Sequence, residues 1–541
     1  GGVATLDPAK VNGKIVVCDR GTIGFANKAQ AVKDAGGIAV VFVNVPSGST
    51  EIGPPPSTVV PALKVLVASR DAIRAYAGPS NASATMSINV VFNTPAPYTA
   101  SFSSRGPSNA AQGNILKPDI MAPGVDVIAA VAPTIDNAGE SFASYQGTSM
   151  ATPHIAGIAA LFKQVYPKWS PMMIKSAMMT TAYDVLDGPS TNPLVVFRQG
   201  AGFVNPTAAL DPGLVFDSSY TDWAGFMCGQ YIVPSSYCTS QRIPVIDPVN
   251  MNEASIAVGT LAGSQTVTRR VTNVSTRPTT YTASLSGLDG YTVKVSPPKL
   301  AVPAGQTKTF TVTITANGGG VVTVNPYSAG QLTWSDGKHN VRMPIVVNPV
   351  MFAAPPEVNG TAYNVKFGYT GPFSVALQGP VSGAKQSTTI ATNDVKWFTV
   401  TVPEGSPFVR FETFAEEFPV GADVDMYVFD PSNHQVGSST GPTAGESVSV
   451  PNPAPGTWSV AIIGYNIPTK TPAPLNLYSW VVPNGQSSFA TVKAPTSAKT
   501  GTQGSVTVTL TGRAAAGKYI GFATYGGASG VGGSTAIKFT K

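Results

Sequence analysis

Residues 147–154 read Gly147-Thr148-Ser149-Met150-Ala151-Thr152-Pro153-His154, which places a serine at the start of a long apolar run. The run continues to Phe162 with almost no polar face, and this predicts a buried helix. A serine at a helix N-terminus lies among free backbone N–H groups and near the positive end of the macrodipole. Negative charge that develops on a bound acyl oxygen is stabilised there. Ser149 is therefore a candidate nucleophile supported by Gly147 and Thr148, and the alternative is a small residue that caps a helix.

A serine hydroxyl needs a base within hydrogen-bond reach, and the chain has three histidines. His154 follows Ser149 by five residues, which on a helix is roughly 140° around the axis and predicts a hydrogen-bonded core histidine. His339 follows an Asp-Gly turn signature, and His434 follows Asp430-Pro431-Ser432-Asn433, so both are expected in turns. None of the three is expected to serve Ser149.

Composition favours several β-rich modules. The 541 residues include 55 glycines and 47 prolines, with 43% hydrophobic and 11% charged residues. The length predicts three or four domains. The formal charge of +6 is spread without a Lys/Arg cluster, so a nucleic-acid partner is not expected. No apolar run approaches 18 residues, so no membrane-spanning helix is expected.

The segment around Ser149 resembles the nucleophile segment of the subtilisin-like serine peptidases, the subtilases. The segments 100–107, 117–125 and 200–206 are also similar to that family. The resemblance implies an α/β core with a mostly parallel sheet, and hydrolysis of peptide bonds in proteins through an acyl-enzyme on Ser149. Asp119 lies in one of these segments, and there the resemblance implies a structural aspartate and not the acid of the triad.

The subtilase triad runs Asp, His, Ser along the chain. No Asp-Thr/Ser-Gly or His-Gly-Thr-His segment precedes Ser149, and the family's oxyanion asparagine segment is also absent. The expectation is therefore a chain without the first half of the catalytic domain, inactive by itself. Its pocket walls are also expected to lie largely outside these residues, so substrate preference and oligomeric state stay open.

Five regions are expected from the resemblances and the strand patterns. Residues 11–21 and 29–37 resemble a protease-associated domain, residues 332–339 a fibronectin-III-like sandwich, and residues 422–431 with 455–460 a pre-peptidase C-terminal domain. The expected regions are an N-terminally incomplete α+β protease-associated domain (1–96), the C-terminal half of the catalytic domain with a partial parallel sheet and helices (97–245), a fibronectin-III-like β-sandwich (246–349), a pre-peptidase C-terminal-like β domain (350–484) and a small β extension (485–541). The regions from 246 onward are expected to fold independently, with 97–245 the first region to be digested by a protease.

Local signals place three helices. Residues 26–35 precede Gly36-Gly37 and are expected to be helical. Ser69 is expected to cap a helix over 70–76. Ser170-Pro171, an N-cap followed by proline at the first helical position, predicts a helix over 172–182.

Three cysteines favour an oxidising, extracellular location. Cys228 and Cys238 bracket a short Pro/Ser-rich loop that a disulfide would close. Cys18 is either half of a bridge, as related modules imply, or a small buried thiol.

Asp423 and Asp425 share a strand face in Ala422-Asp423-Val424-Asp425-Met426. They could hold Ca²⁺ with loop oxygens, and the alternative is two solvated carboxylates, because a calcium site needs six or more oxygens. No cofactor is assigned.

Two functions follow. One is a secreted serine endopeptidase acting on protein substrates, and the other is a non-catalytic secreted binding or adhesion protein on a degenerate subtilase scaffold. A dead site has no physical need for a serine in an intact Gly-Thr-Ser-Met-Ala context, which favours the peptidase.

Overall fold

The computed structural model describes residues 6–21, 23–45, 58–79, 81–87, 96–133, 139–230, 238, 240–317, 327–511, 514–528 and 531–541. The chain divides into two compact units. Unit 1 comprises Gly1–Gly259, Thr266–Ile314 and Tyr327–Asn348, and unit 2 comprises Thr260–Gln265, Thr315–Pro326 and Pro349–Lys541.

The α-helices lie in unit 1. They are α1 Pro8–Val11, α2 Phe25–Asp34, α3 Arg70–Ala77, α4 Thr148–Val165, α5 Pro171–Thr180, α6 Pro193–Gln199, α7 Pro206–Ala209 and α8 Tyr220–Gly229. The strands up to the end of the first sandwich are β1 Ile15–Asp19, β2 Ala39–Val43, β3 Ala62–Val65, β4 Val127–Ala130, β5 Phe142–Tyr145, β6 Leu214–Val215, β7 Ile256–Leu261, β8 Ser264–Asn273, β9 Thr279–Gly287, β10 Tyr291–Ser296, β11 Lys299–Val302, β12 Thr307–Ala316, β13 Ser328–Ser335 and β14 Asn340–Pro349.

The N-terminal module is a small α/β layer. Strands β1, β2 and β3 form a parallel three-stranded sheet, and Val32 of α2 packs with Val40 and Phe42 of β2. Gly36 follows α2 at φ +81°, a left-handed conformation in which a Cβ would lie 2.5 Å from the side chain of Asn12. The predicted helix over 26–35 is therefore confirmed, with a one-residue shift.

Of the two serines predicted to cap helices, the structure confirms Ser170 and contradicts Ser69. The Ser170 side chain accepts a hydrogen bond from the Met173 amide, and Pro171 begins α5, which confirms that cap. Ser69 is wrong as a cap: it lies in a 3₁₀ turn in αR conformation and its side chain accepts no bond from α3. An N-cap needs extended backbone to aim its oxygen at the free amides, and Ser69 lacks it.

Helix α4 is apolar on both of its sides, but only one side is buried. Ile155, Ile158 and Phe162 pack with Ile174 and neighbouring residues of α5. On the other side Leu161 is 63% exposed. The sequence pattern predicts a helix that is buried on all sides. In the described part of the chain, other residues cover only the side of α4 that faces α5.

The region after α7 is joined to the first β-sandwich. Strand β6 pairs antiparallel with β8, Leu214 opposite Asn273, and completes the sheet β10-β12-β8-β6. The facing sheet is β11-β9-β13-β14-β7, and Phe310 and Trp334 lie between the two sheets. Gly213 approaches the sandwich so closely that a Cβ would lie 2.6 Å from the Tyr281 hydroxyl.

Ion pairs reinforce this junction. The Arg342 guanidinium on β14 lies 2.6 Å from Asp184, and Arg270 on β8 donates to both carboxylate oxygens of Asp222 at 2.8 and 2.9 Å. The predicted boundary at residue 245 therefore crosses a packed region, because α5, β6 and α8 share their partners with the sandwich.

The mixed α/β class with a β-rich C-terminal half is confirmed. Parallel pairing is found in β1-β2-β3. The partial parallel sheet expected over 97–245 is not found among the described residues. They pair as the antiparallel hairpin β4–β5, as β6 with β8 of the sandwich, and as single bridges from Phe203 to Met121 and Tyr183.

Unit 2 contains two sandwiches, one inserted in the other. Its strands are β15 Phe352–Ala353, β16 Glu357–Asn359, β17 Ala362–Phe367, β18 Gly371–Ser382, β19 Ala384–Ile390, β20 Val395–Val402, β21 Phe408–Glu412, β22 Asp423–Phe429, β23 Gln435–Ser439, β24 Ser447–Pro451, β25 Gly456–Asn466, β26 Ala473–Val482, β27 Ala490–Lys493, β28 Ser497–Ala498, β29 Gln503–Leu510, β30 Lys518–Gly527 and β31 Ser534–Thr540.

The host sandwich consists of sheets β15-β17-β29-β27 and β16-β31-β30-β18-β28. The inserted sandwich consists of sheets β19-β26-β21-β24 and β20-β25-β22-β23. The expected division into 350–484 and 485–541 differs from this pairing, because β18 and β30 are neighbours in one sheet. Strand patterns locate strands but carry no information about pairing at such separations.

Limited proteolysis tests the junction in unit 1. Because α5, β6 and α8 are tied to the sandwich, we expect a resistant fragment that begins before residue 171 and includes the strands up to β14. Mass spectrometry of the fragments measures its start. The double variant Arg342→Ala, Arg270→Ala is expected to move the start toward residue 245. A fragment of the unaltered chain that begins at 245–255 would contradict the shared packing.

The turn between β13 and β14 predicts a pH dependence of stability. Burial alone would raise the pKa of Asp336, but hydrogen bonds from the backbone amides of His339 and Lys338 and from the His339 ring outweigh it, so the pKa is lowered. A lowered folded-state pKa stabilises the fold above the ordinary value of 3.8, and this stabilisation is lost as pH falls through the lowered value.

Asp336→Asn is therefore expected to lower the free energy of unfolding by roughly 1–2 kcal/mol at pH 7. The difference from the unaltered chain should shrink below pH 3.8, as measured by urea unfolding across the pH range. The exposed Asp289→Asn is the matched control. An effect of Asp336→Asn that is the same at pH 7 and at pH 3 would contradict the electrostatic origin.

Candidate active site

The segment before Ser149 is held by two close backbone approaches. Gly147 has φ +153° and ψ 161°, a conformation open essentially to glycine alone, and it lies at the N-cap of α4. Its amide donates to the carbonyl of Gly124 at 2.8 Å. A Cβ on Gly124 would lie 3.0 Å from the Gly147 carbonyl oxygen. Sequence reasoning did not predict Gly124 as a site residue, although Gly124 lies in the segment 117–125 that is similar to the subtilases.

Ser149 lies in the first turn of α4, and both it and Thr148 are exposed. The Met150 amide donates to the Gly147 carbonyl at 3.0 Å, and Thr152 Oγ1 donates to the Thr148 carbonyl at 3.0 Å. These bonds close the first turn without using the Ser149 hydroxyl. The hydroxyl therefore sits at the positive end of the helix and faces solvent.

All three histidines are bonded elsewhere. His154 Nδ1 lies 2.8 Å from the Met150 carbonyl oxygen, inside its own helix. His339 lies between Asp336, at 2.8 Å from Nδ1, and Asp211, at 3.1 Å from Nε2. His434 lies in the turn after β22, 3.5 Å from Asp430. The turn predictions for His339 and His434 are confirmed, and no imidazole of this chain meets Ser149.

Asp119 belongs to a structural ion-pair network. Its carboxylate lies 2.7 Å from Lys117 and 3.0 Å from Lys175, and Lys175 also lies 3.0 Å from Glu253. Burial opposes the charge on Lys175, but Glu253 and Asp119 outweigh it and raise the pKa of Lys175. Lys175 lies in α5, which supports α4. The network therefore helps to fix the position of α5, against which the helix that carries Ser149 packs.

Two exposed apolar surfaces lie on the helix that carries Ser149 and on the hairpin that precedes it. One is the outer side of α4, where Ala156, Ala160 and Leu161 are exposed. The other is the β4–β5 hairpin that leads into α4, where Ile128 is 76% exposed and Phe142 is also exposed. Contiguous apolar surface of this kind marks an interaction site or an incompletely covered core.

The predicted cysteine pair forms a disulfide. Cys228 at the end of α8 is bonded to Cys238 in the structure. Cys18 lies on β1 as a half-buried free thiol, and burial raises its pKa. A raised pKa keeps the sulfur protonated and unreactive at neutral pH.

Metal ligands do not converge in the part of the chain that the structure describes: no group of three or more His, Cys, Asp or Glu side chains there could hold a metal ion. Asp423 and Asp425 lie on β22, and burial and the neighbouring Asp423 charge raise the pKa of Asp425. Among the described helices, none is both long and apolar enough to cross a membrane.

Family models match four stretches of the chain. The subtilase family matches residues 46–202, which include Ser149, and the PA domain matches 2–73. The fibronectin type-III domain matches 250–347, and the bacterial pre-peptidase C-terminal domain matches 394–464. The serine at the glycine-capped start of α4 lies within the stretch that matches the subtilase family.

Curated relatives agree with this class. Subtilisin-like protease SBT1.7 of Arabidopsis thaliana is 38% identical over 370 residues, covering 64% of this chain and 48% of the relative. Subtilisin-like protease SBT5.3 of the same plant is 40% identical over 369 residues, covering 64% and 47%. Residues 46–202 of the chain match the subtilase family, and the chain spans about half the length of the curated relatives it matches.

A solved structure, that of tripeptidyl peptidase 2, covers 64% of this chain at 15% identity with a TM-score of 0.22. At that score it adds nothing to the assignment of the fold or the site.

The Lys175 network supports a stability prediction. Lys175→Met removes the cation that pairs with Glu253, whose side chain is only 4% exposed. A buried carboxylate that has lost its direct ion-pair partner is expected to cost about 3 kcal/mol of unfolding free energy, although the Arg269 charge nearby remains. Urea denaturation measures the loss, and the exposed Lys168→Met is the control. Adding Glu253→Gln should restore most of the stability, and a double variant as unstable as the single one would contradict the charge argument.

Proposed function

We propose that this chain carries the nucleophile of a serine endopeptidase, with Ser149 attacking the scissile carbonyl of a protein substrate. The observation that carries the proposal is the exposed serine in the first turn of α4, behind a glycine in a conformation that other residues avoid. The Ser149 backbone N–H would donate to the oxyanion, and Gly147 and Thr148 would support the turn.

The base comes from polypeptide other than these residues. The three histidines bond to Met150, to Asp211 and Asp336, and to Asp430 respectively. A serine without a general base is a poor nucleophile at neutral pH. The apolar sides of α4 and of the β4–β5 hairpin adjoin Ser149, so a segment that covers them would also be placed to bring a histidine to the serine.

A fluorophosphonate probe tests the assignment. The 541-residue chain is expected to show no rapid, stoichiometric labelling at Ser149, because loss of the base from a subtilisin costs about 10⁶ in rate. A longer polypeptide, whose upstream sequence supplies an aspartate and a histidine in family context, should label rapidly and hydrolyse casein. Ser149→Ala should abolish both.

Other results would contradict parts of the proposal. Rapid labelling of the chain by itself would overturn the claim that its base lies elsewhere. A longer polypeptide that carries both groups but neither labels nor hydrolyses protein would favour the second function, a non-catalytic binding protein on a degenerate scaffold.

We also propose a secreted location and a modular division. The Cys228–Cys238 bond supports an oxidising compartment. We propose a protease-associated domain over 1–96 and a catalytic segment over 97–245, then a sandwich over 246–349 and a host sandwich that receives the pre-peptidase C-terminal-like module. The pairing of β18 with β30 supports this change to the 350–484 and 485–541 division.

A further inference from the structure

The outer face of the sheet β20-β25-β22-β23 carries a row of aromatic side chains. Along β20, the side chains of Phe398, Val400 and Val402 point into the core, so Trp397 and Thr399 point outward. Trp397 is 59% exposed, while Trp334, Trp458 and Trp480 are fully buried. Of the buried tryptophans, Trp458 lies in the core beneath this same sheet, so the sheet has a tryptophan on each of its two faces.

The strand register places the rings side by side. Trp397 of β20 and Tyr427 of β22 both pair directly with Ala461 of the central strand β25, from opposite sides. Thr399 and Phe429 flank Ser459 in the same way. Since adjacent strands lie about 4.8 Å apart, the two outer columns are separated by roughly 10 Å across a small central residue.

Because the central residues Ala461 and Ser459 are small, the neighbouring aromatic rings can lie close to the backbone of the sheet. Ala461 faces outward but is only 4% exposed, because the flanking rings cover it. The Trp397 and Phe429 ring centroids are 5.6 Å apart at an interplanar angle of 39°. The result is a shallow aromatic platform, defined here as Trp397, Tyr427 and Phe429 around Ala461.

The polar groups around the platform carry hydroxyls and carboxylates. Thr399, Ser459 and Ser438 lie in the same rows as the rings, and Asp425 lies one row away, opposite Ile463. No Lys or Arg occupies the outward positions of β20, β25 and β22, all of whose residues the structure describes. Lys396 lies 3.1 Å from Asp394 at the strand end.

The charges around the aromatic platform indicate which class of ligand it can bind. A face with carboxylates and without cations repels nucleic acids, sulfated glycans and anionic lipid, so charge complementarity leaves a neutral ligand or a donor-rich one. A pyranose ring offers an apolar C–H face to an aromatic ring and a rim of hydroxyls to acceptors. Tryptophan and tyrosine combine an apolar face with a polar edge that suits such a surface.

We propose that the aromatic platform binds a neutral polysaccharide, with sugar rings stacked on Trp397 and Tyr427 and with Asp425 and Thr399 accepting hydroxyl hydrogen bonds. The site lies away from Ser149 in sequence and requires no peptidase activity. It would attach the protein to an insoluble carbohydrate matrix and hold it near proteins embedded there.

Retention on insoluble polysaccharide tests the proposal. The unaltered 541-residue chain is incubated with microcrystalline cellulose, chitin or starch granules, and the bound fraction is measured after washing. We expect retention on at least one of them, weakened roughly tenfold by Trp397→Ala. Tyr220→Ala, which removes an aromatic ring 76% exposed outside the inserted sandwich, should bind as the unaltered chain does.

Two further measurements separate the alternatives. Trp397→Phe keeps an aromatic face and should retain much of the binding, while circular dichroism confirms that each variant is folded. Titration with the matching soluble hexasaccharide should change the tryptophan fluorescence of the unaltered chain and not that of Trp397→Ala. Binding should also be insensitive to added NaCl, because no cation contributes to it.

Several outcomes would overturn the proposal. One is absence of retention on all three polysaccharides. Another is retention that Trp397→Ala leaves unchanged. A third is platform-dependent binding to gelatin or to phosphatidylglycerol vesicles in place of carbohydrate, which would make the occupant a protein or a membrane.

Discussion

A helix that is apolar on two sides must bury both to be stable in water, and α4 buries one. Its inner side rests on α5, whose position depends on the Lys175 ion pairs with Asp119 and Glu253. Its outer side is exposed next to the serine at its first turn. The apolar surface of α4 thus accounts for two features: its packing on α5 positions the candidate nucleophile, and its exposed side calls for a segment that covers it. A group that completes the burial of α4 is placed to complete the chemistry.

The sandwich that follows is part of the support for this region. Strand β6 extends one of its sheets, and the Arg342 and Arg270 guanidiniums reach back to Asp184 and Asp222. The half-covered catalytic segment is therefore anchored at its C-terminal end by backbone pairing and by charge. Its exposed apolar side chains include Ile128 and Phe142 on the adjoining hairpin and Leu161 in the C-terminal half of α4.

Sequence reasoning succeeded where the controlling interaction is local. The Ser170-Pro171 helix start depends on residues a few positions apart, and so do the glycine after α2 and the turns that hold His339 and His434. It failed where partners are distant in the chain. Ser69 has the composition of a cap but not the backbone conformation, and the pairing of β18 with β30 is invisible to a strand pattern.

The candidate sites divide in the same way. The Gly-Thr-Ser motif located Ser149 by itself, because its chemistry is contained in a few consecutive residues. The support from Gly124, and the approach of Trp397 and Tyr427 over Ala461, required register between segments that the sequence does not align. No sequence pattern singled out Trp397 or its neighbours.

The insertion in unit 2 has a mechanical consequence. The chain enters the inserted sandwich after Ser382, where β18 ends, and leaves it after Val482. Close to these crossings the Gly379 amide donates to the Gly485 carbonyl, and the Ser487 amide donates to the Gly379 carbonyl. These bonds tie the two crossings of the chain to each other, and the ion pairs Arg410–Glu357 and Lys538–Glu412 tie the inserted sandwich to host strands. A force applied to the inserted sandwich is therefore shared among several points of the host and is not carried by the two connecting segments alone.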